Sequence, residues 1–225
     1  MRKDFNKNIR SLKKLITSGV KLSSALQKIE SQSFLDLYTY SVVLKTTNLL
    51  YSINLLISVG QILPAQILAR VLIETKINLD YLILLLAEDS KVTERIPDAA
   101  MLHKNKLVMA AGWGGHKSPF KNWNKIIEEI KSKYSKEELK KIKKLGYFDC
   151  DLEKRAKKTK NAELYNHGYR QYSQNIHNFD MHEILEEGEN NYYYQASRLG
   201  ALLEAANKCG KAILATAKEV KKNLP

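Results

Sequence analysis

At 225 residues with 44% hydrophobic side chains, the chain is long enough for one domain with a sizeable core and has the hydrophobic share of an ordinary soluble protein. Its net charge is +13, and the stretch 104–160 alone holds 17 basic and 7 acidic residues, an asymmetry that points to a polyanionic partner, nucleic acid ahead of a membrane surface. Two cysteines without ligand spacing argue against a disulfide scaffold, a basic N-terminus without an apolar core against a signal peptide, and apolar runs short of ~20 residues against a membrane span, so the expected location is the cytoplasm.

Ten glycines and four prolines over this length predict long helices and few tight turns. Residues 5–30 repeat apolar positions at helical spacing (Ile9, Leu12, Leu15, Ile16, Val20, Leu22, Leu26, Ile29), which predicts the first helix. Ser33 suits the N-cap of a second, running to about Val59, with Gly60 closing it. Pro64 suits the first turn of a third, to about Glu88. That helix is apolar nearly all round and is expected at the centre of the fold. Asp89 or Ser90 would cap a fourth helix through about Ala111. Gly112 to Pro119 reads as a loop.

Helix resumes over about 121–134. Ser135-Lys136-Glu137-Glu138 is a capping box opening a short Lys-rich helix to Leu145, and Gly146 stops it. A basic segment runs through Lys160. A helix then carries Arg170 and His177, Asn178-Phe179-Asp180 breaks or bends it, and a last helix spans about 189–222. No stretch alternates with a β period. The expectation is an all-α fold, a single domain over 1–225. It would be a helical bundle of four to five long helices with a basic helical insertion over 114–160.

The candidate site lies in 165–177. On an α-helix Arg170 and His177 fall about 20° apart. Tyr165, Tyr169 and Ser173 sit at four-residue spacing on the adjoining stripe. A permanently charged guanidinium, an imidazole that titrates near neutrality and hydroxyls would then share one face, a surface suited to phosphate. The blander alternative makes Tyr165, Tyr169 and Tyr172 core aromatics and His177 a partner of the helix dipole.

Arg70 and Glu74 lie four apart on the most apolar helix, where an unpaired charge is costly. They either form an intrahelical pair or line one pocket with Tyr165, Tyr172 and Arg170, with Glu74 orienting His177 or bridging to Arg170. Lys140, Lys141, Lys143, Lys144, Lys154, Arg155, Lys157 and Lys158 are expected to hold a nucleic-acid backbone. No metal site is expected, because no Glu-x-x-His pair exists and His177 and His182 flank Asp180 without a ligand geometry. No P-loop or dinucleotide-binding glycine pattern appears, so no cofactor is expected. Cys150 reads as incidental.

The Arg70-x-x-x-Glu74 helix, Trp123 and Tyr165-x-x-x-Tyr169-x-x-x-Ser173-x-x-x-His177 together resemble an uncharacterised bacterial family of helical proteins, over about residues 35–180. Arg170 through His177 also resembles the Arg-x(4–6)-His motif of the HEPN superfamily. Gln171 stands where HEPN nucleases carry Asn, Asp or His. Phe179 stands where one subgroup has a modifiable tyrosine. The resemblance implies a helical homodimer that is a metal-independent endoribonuclease, a toxin or phage-defence effector with an antitoxin or defence-system protein as partner. RNA would be the substrate, His177 the acid–base group, Arg170 the phosphate-stabilising charge, and Tyr169 or Ser173 the group that positions a phosphate oxygen. The alternative expectation is a non-catalytic helical module that binds a nucleotide, RNA or a protein, with Arg70, Glu74 and His177 as a structural network.

Overall fold

A computed structural model describes residues 2–28, 33–88, 92–110, 122–145, 148, 150–173 and 191–222. Among these residues every regular element is helical, and the fold is all-α. In chain order the helices are α1 (Arg2–Gln27), α2 (Phe34–Ser58), α3 (Ile62–Glu88), α4 (Val92–Ala110), α5 (Trp123–Ser132), α6 (Lys136–Leu145), α7 (Leu152–Lys158), α8 (Ala162–Leu164), which runs on as a π-helix over Tyr165–Arg170, and α9 (Asn191–Lys222). The chain divides into two compact units, Met1–Tyr81 with Ala156–Pro225, and Leu82–Arg155. The expected loop from Gly112 to Pro119, the stop at Gly146 and the break at Asn178-Phe179-Asp180 lie outside the described residues.

In the first unit, α1, α2 and α9 pack on one another. Ser33 caps α2 as expected. Its hydroxyl oxygen accepts from the Asp36 amide at 3.2 Å, and the Asp36 carboxylate accepts from the Ser33 amide at 3.0 Å. This reciprocal box satisfies two amides that a helix start leaves without partners. Gly60 ends the turn at φ +75, a conformation that costs glycine little. α3 starts two residues before the expected Pro64, which still falls in the first turn, where its missing N–H is of no consequence.

Two glycines set how closely the helices approach α2. A Cβ on Gly19 of α1 would lie 2.2 Å from Thr47 Oγ1, and one on Gly210 of α9 would lie 2.8 Å from Leu50 Cδ1. Thr47 satisfies its own hydroxyl within α2, donating to the Val43 carbonyl at 2.7 Å. Around these contacts Leu12, Val43, Leu50, Ile53 and Leu203 are fully buried. Val20, expected on the core face, is 52% exposed. Gly19 takes the contact position, and at about 100° per residue its neighbour turns outward.

In the second unit, α4 packs on α5 and α6. Their core gathers Leu102, Val108, Trp123, Ile127 and Ile130. The Trp123 indole donates to Asn105 Oδ1 at 2.8 Å. The expected capping box opens α6, with the Ser135 amide donating to Glu138 Oε2 at 2.8 Å and the Glu138 amide to Ser135 Oγ at 3.2 Å. Asp98 is buried and ties the α5–α6 turn to α4. It accepts from Lys133 Nζ at 2.9 Å and from the Tyr134 hydroxyl at 3.0 Å. The helix α7 lies in what the sequence marks only as a basic segment.

Burial first, and then the bond to Asp98, pushes the Tyr134 hydroxyl from 10.0 up to about 12. A group whose folded pKa is raised adds stability that is complete below its unfolded pKa and is lost as pH rises through the folded one. The contribution of Tyr134 is therefore whole below pH 10 and lost through about pH 12. Tyr134→Phe is expected to cost about 1–2 kcal/mol at neutral pH and to flatten the alkaline fall in stability. Urea unfolding at neutral pH and across the alkaline window checks both.

Candidate functional site

The helix that follows α8 widens into a π turn over Tyr165–Arg170. Such a turn holds an extra residue and shifts the faces of all that follow, and it recurs at functional sites. Gly168, within it, lies against α3. A Cβ there would sit 2.6 Å from Ile73 Cδ1. This close approach brings Tyr169 to Arg70, one turn before Ile73 on α3. Arg70 Nη2 donates to the Tyr169 hydroxyl at 2.9 Å, and the guanidinium carbon stands 4.8 Å from the ring centroid. Tyr165 stacks on Tyr169 with centroids 5.3 Å apart and planes at 14°.

Arg70 is half-buried, and a guanidinium cannot shed its charge. The expected i,i+4 partner does not take it. Among the described residues no hydrogen bond or ion pair joins Arg70 to Glu74. Tyr169 offers both an acceptor oxygen and a ring face, which a carboxylate on the same helix does not. Because the Tyr169 oxygen accepts from Arg70, its own O–H remains a donor. Arg70 Nε is buried without a partner. The proposed contact of Glu74 with His177 lies outside the described residues, as do His177, Asp180 and His182 themselves.

The other expected residues divide by role. Ser173 Oγ donates to the Tyr169 carbonyl at 2.7 Å, so its proton is used within its own helix. Tyr172 is buried, and burial first, with a smaller contribution from Cys209, pushes its hydroxyl up to about 12. Cys209 is itself pushed up to about 12 by burial, which leaves an unreactive thiol.

Arg170 is exposed and shares a shallow cleft of about 430 Å³ with Asn166, His167 and Gln171. His167 and Gln171 also border a second cleft of about 370 Å³, which Lys160, Glu204 and Lys208 help to line. His167 carries no assignment in the sequence reading. Its three-residue spacing from Arg170 was the available clue, because such residues neighbour each other on a helix.

The turn before α8 is anchored on α3. Asp80 pairs with Lys76 and accepts from Asn161 Nδ2 at 2.7 Å, and the same amide donates to Thr159 Oγ1 at 2.9 Å. Lys160 between them takes a left-handed φ of 57. Side chains from three consecutive positions of this turn thus hold the entry to the π-helix or border the second cleft.

Of the basic residues, Lys140, Lys141, Lys154 and Lys157 are exposed, and the side chains of Lys143 and Lys144 lie outside the described residues. The Arg155 guanidinium stands over Phe148 at 4.6 Å, and Lys158 donates to the Tyr81 hydroxyl at 3.2 Å. Positions through Arg155 belong to the second unit, whereas Lys157 and Lys158 belong to the first. Among the described residues, no helix is long and apolar enough to cross a membrane. No group of three or more His, Cys, Asp or Glu side chains among them could hold a metal ion.

The profile of a family of unknown function (DUF5677) matches residues 36–192, a span that includes the Arg70 helix and the π turn. No curated protein and no solved structure matches the chain.

Tyr169→Phe keeps the ring and loses the hydroxyl, and is expected to cost about 1–2 kcal/mol. In double-mutant cycles read by urea unfolding, Arg70→Met and Tyr169→Phe should couple, whereas Arg70→Met and Glu74→Gln should add within about 0.5 kcal/mol. Gly168→Ala should overpack Ile73 and cost about 1–3 kcal/mol. Part of that loss should return when Ile73→Val is added.

Proposed function

We propose that this chain, which belongs to the DUF5677 family of unknown function, is an HEPN-like, metal-independent endoribonuclease working through the Tyr165–His177 stretch. A cytoplasmic toxin or phage-defence effector is the setting that fits this activity. The observation that carries the reading is the exposed Arg170 in a cleft with His167, on a π turn that Arg70 holds through Tyr169. A net charge of +13 supports a polyanionic substrate.

The chemistry needs acid–base groups and a charge at phosphorus. The 2′-oxygen bonds to phosphorus as the bond to the 5′-oxygen breaks. His177 takes the 2′ proton, and a second acid returns one to the 5′-oxygen. Arg170 neutralises the charge that gathers on the phosphoryl oxygens. Of the two hydroxyls considered for positioning an oxygen, Tyr169 is favoured, since the Ser173 proton is already donated. One motif per chain supplies one such set, and a two-fold dimer would supply two. Exposed lysines such as Lys140, Lys141 and Lys154 would hold the RNA backbone.

A second reading, a non-catalytic module that binds RNA, a nucleotide or a protein partner such as an antitoxin, is favoured by one observation. Arg70 spends a hydrogen bond on the Tyr169 hydroxyl, and Ser173 spends its own on the Tyr169 carbonyl within the same helix.

A labelled RNA incubated with the protein separates the two readings. Cleavage is expected to persist in excess EDTA and to leave 2′,3′-cyclic phosphate ends. His177→Ala should lower the rate by about 10²–10⁴-fold with binding retained. Arg170→Ala should weaken binding and cleavage together, and His167→Ala reports whether the imidazole beside Arg170 shares the proton transfer. RNA binding that weakens steeply with salt but brings no cleavage assigns the protein to the second reading.

A further inference from the structure

The solvent-facing side of α2 is apolar and nearly uncharged. Leu37, Ser41, Leu44, Asn48, Tyr51 and Leu55 are all exposed, and they follow one another at spacings of four, three, four, three and four. The large ones range from 39% exposed at Leu44 to 58% at Tyr51. Lys45 is the one charged residue among the exposed positions of this helix. The opposite side, with Val43, Leu50 and Ile53, is fully buried. A helix packed on a core ordinarily carries one apolar stripe. α2 carries two, and the second has the alternating three–four spacing of a coiled-coil seam.

We propose that this face is the seam of a homodimer and that α2 of a second copy covers it. The charge distribution argues for that occupant. Two chains of net charge +13 repel across most of their surfaces, and a face with a single lysine is where they can meet. The same face gives a polyanion little to bind.

Asn48 adds a second argument. Its amide carries both donors and an acceptor, so the identical group in a second copy can satisfy it. A single polar residue in such a seam sets register and oligomer state. It sits near the middle of Phe34–Ser58, close to where a two-fold axis would cross. A hollow of about 420 Å³ lined by Ser41, Leu44, Lys45 and Asn48, among others, is ready to receive a side chain from the facing helix.

Size fits as well. The helix is about 37 Å long, and apolar exposure continues through Val59 into Leu63 and Ile67 at the start of α3. A stable pair buries about 800 Å² on each side, and a monomer seldom leaves more than about 300–600 Å² of continuous apolar surface open. The inference rests on α2 alone and not on the cleavage reading.

Sedimentation velocity of the full chain across a concentration series tests it. A dimer is expected at micromolar concentration. Leu44→Glu combined with Leu55→Glu should weaken it at least 100-fold without changing the far-UV spectrum, since both positions face solvent in the single chain. Asn48→Cys should join two copies through a short bis-maleimide, against a background in which Cys150 and Cys209 are buried. Leu37→Cys should not, because a two-fold axis crossing near Asn48 sets the two copies of position 37 about 33 Å apart. A monomer at every concentration, a dimer indifferent to the paired glutamates, or no cross-link through Asn48→Cys would overturn the proposal.

Discussion

A guanidinium on an apolar helix is the constraint on which the candidate site depends. Arg70 cannot lose its charge, and it stands half-buried on α3. Its answer is the phenol of Tyr169, which supplies an acceptor at 2.9 Å and a ring face at 4.8 Å. To deliver that phenol, the segment after α8 must come close to α3, and Gly168 leaves the room for it against Ile73. The π turn over Tyr165–Arg170 sets the facing of Tyr169 and of the exposed Arg170 that follows. One half-buried charge is thus linked to one presented charge by a single helical distortion.

The scaffold around this pairing follows the same economy of polar groups. Thr47 bonds within its own helix, which lets Gly19 rest directly on it. Asp80 gathers Lys76 and Asn161, fixing the turn that leads into the site. In the other unit, Asp98 draws Lys133 and Tyr134 to α4. Asp80 and Asp98 are each met by more than one donor, which offsets the cost of taking a carboxylate out of water.

The hydroxyl-bearing residues of the site therefore serve structure first. Ser173 bonds back into its helix, Tyr172 is buried, and Tyr169 is tied to Arg70. What stands open to a ligand is Arg170, together with His167, Asn166 and Gln171. A phosphate-handling role rests on those groups more than on the tyrosine stripe, and it makes His167 the unassigned residue of greatest interest. The α2 seam is separate from this chemistry. Its uncharged stripe is a matter of assembly and makes no use of the basic residues that point toward a polyanion.

Much of the fold was legible in the sequence because it is local. Ser33, Gly60 and the Ser135 capping box mark helix ends through contacts three residues apart, and apolar spacing marks the helices between them. The all-α class and the nearness of Tyr165, Tyr169 and Ser173 came from the same short-range periodicity. Periodicity assumes an undistorted α-helix, however, and it gives no sign of the π turn over Tyr165–Arg170, where Gly168 closes on α3. Spacing alone paired Arg70 with Glu74, whereas the fold offered a phenol 99 residues away with two ways to meet the charge. Val20 read as core until Gly19 took its place against α2. The sequence by itself determined the helical class, the caps at several helix ends and how charge is distributed. Only the tertiary structure decided which side chain satisfies which, because that choice depends on groups distant in the chain competing for one buried charge or one point of contact.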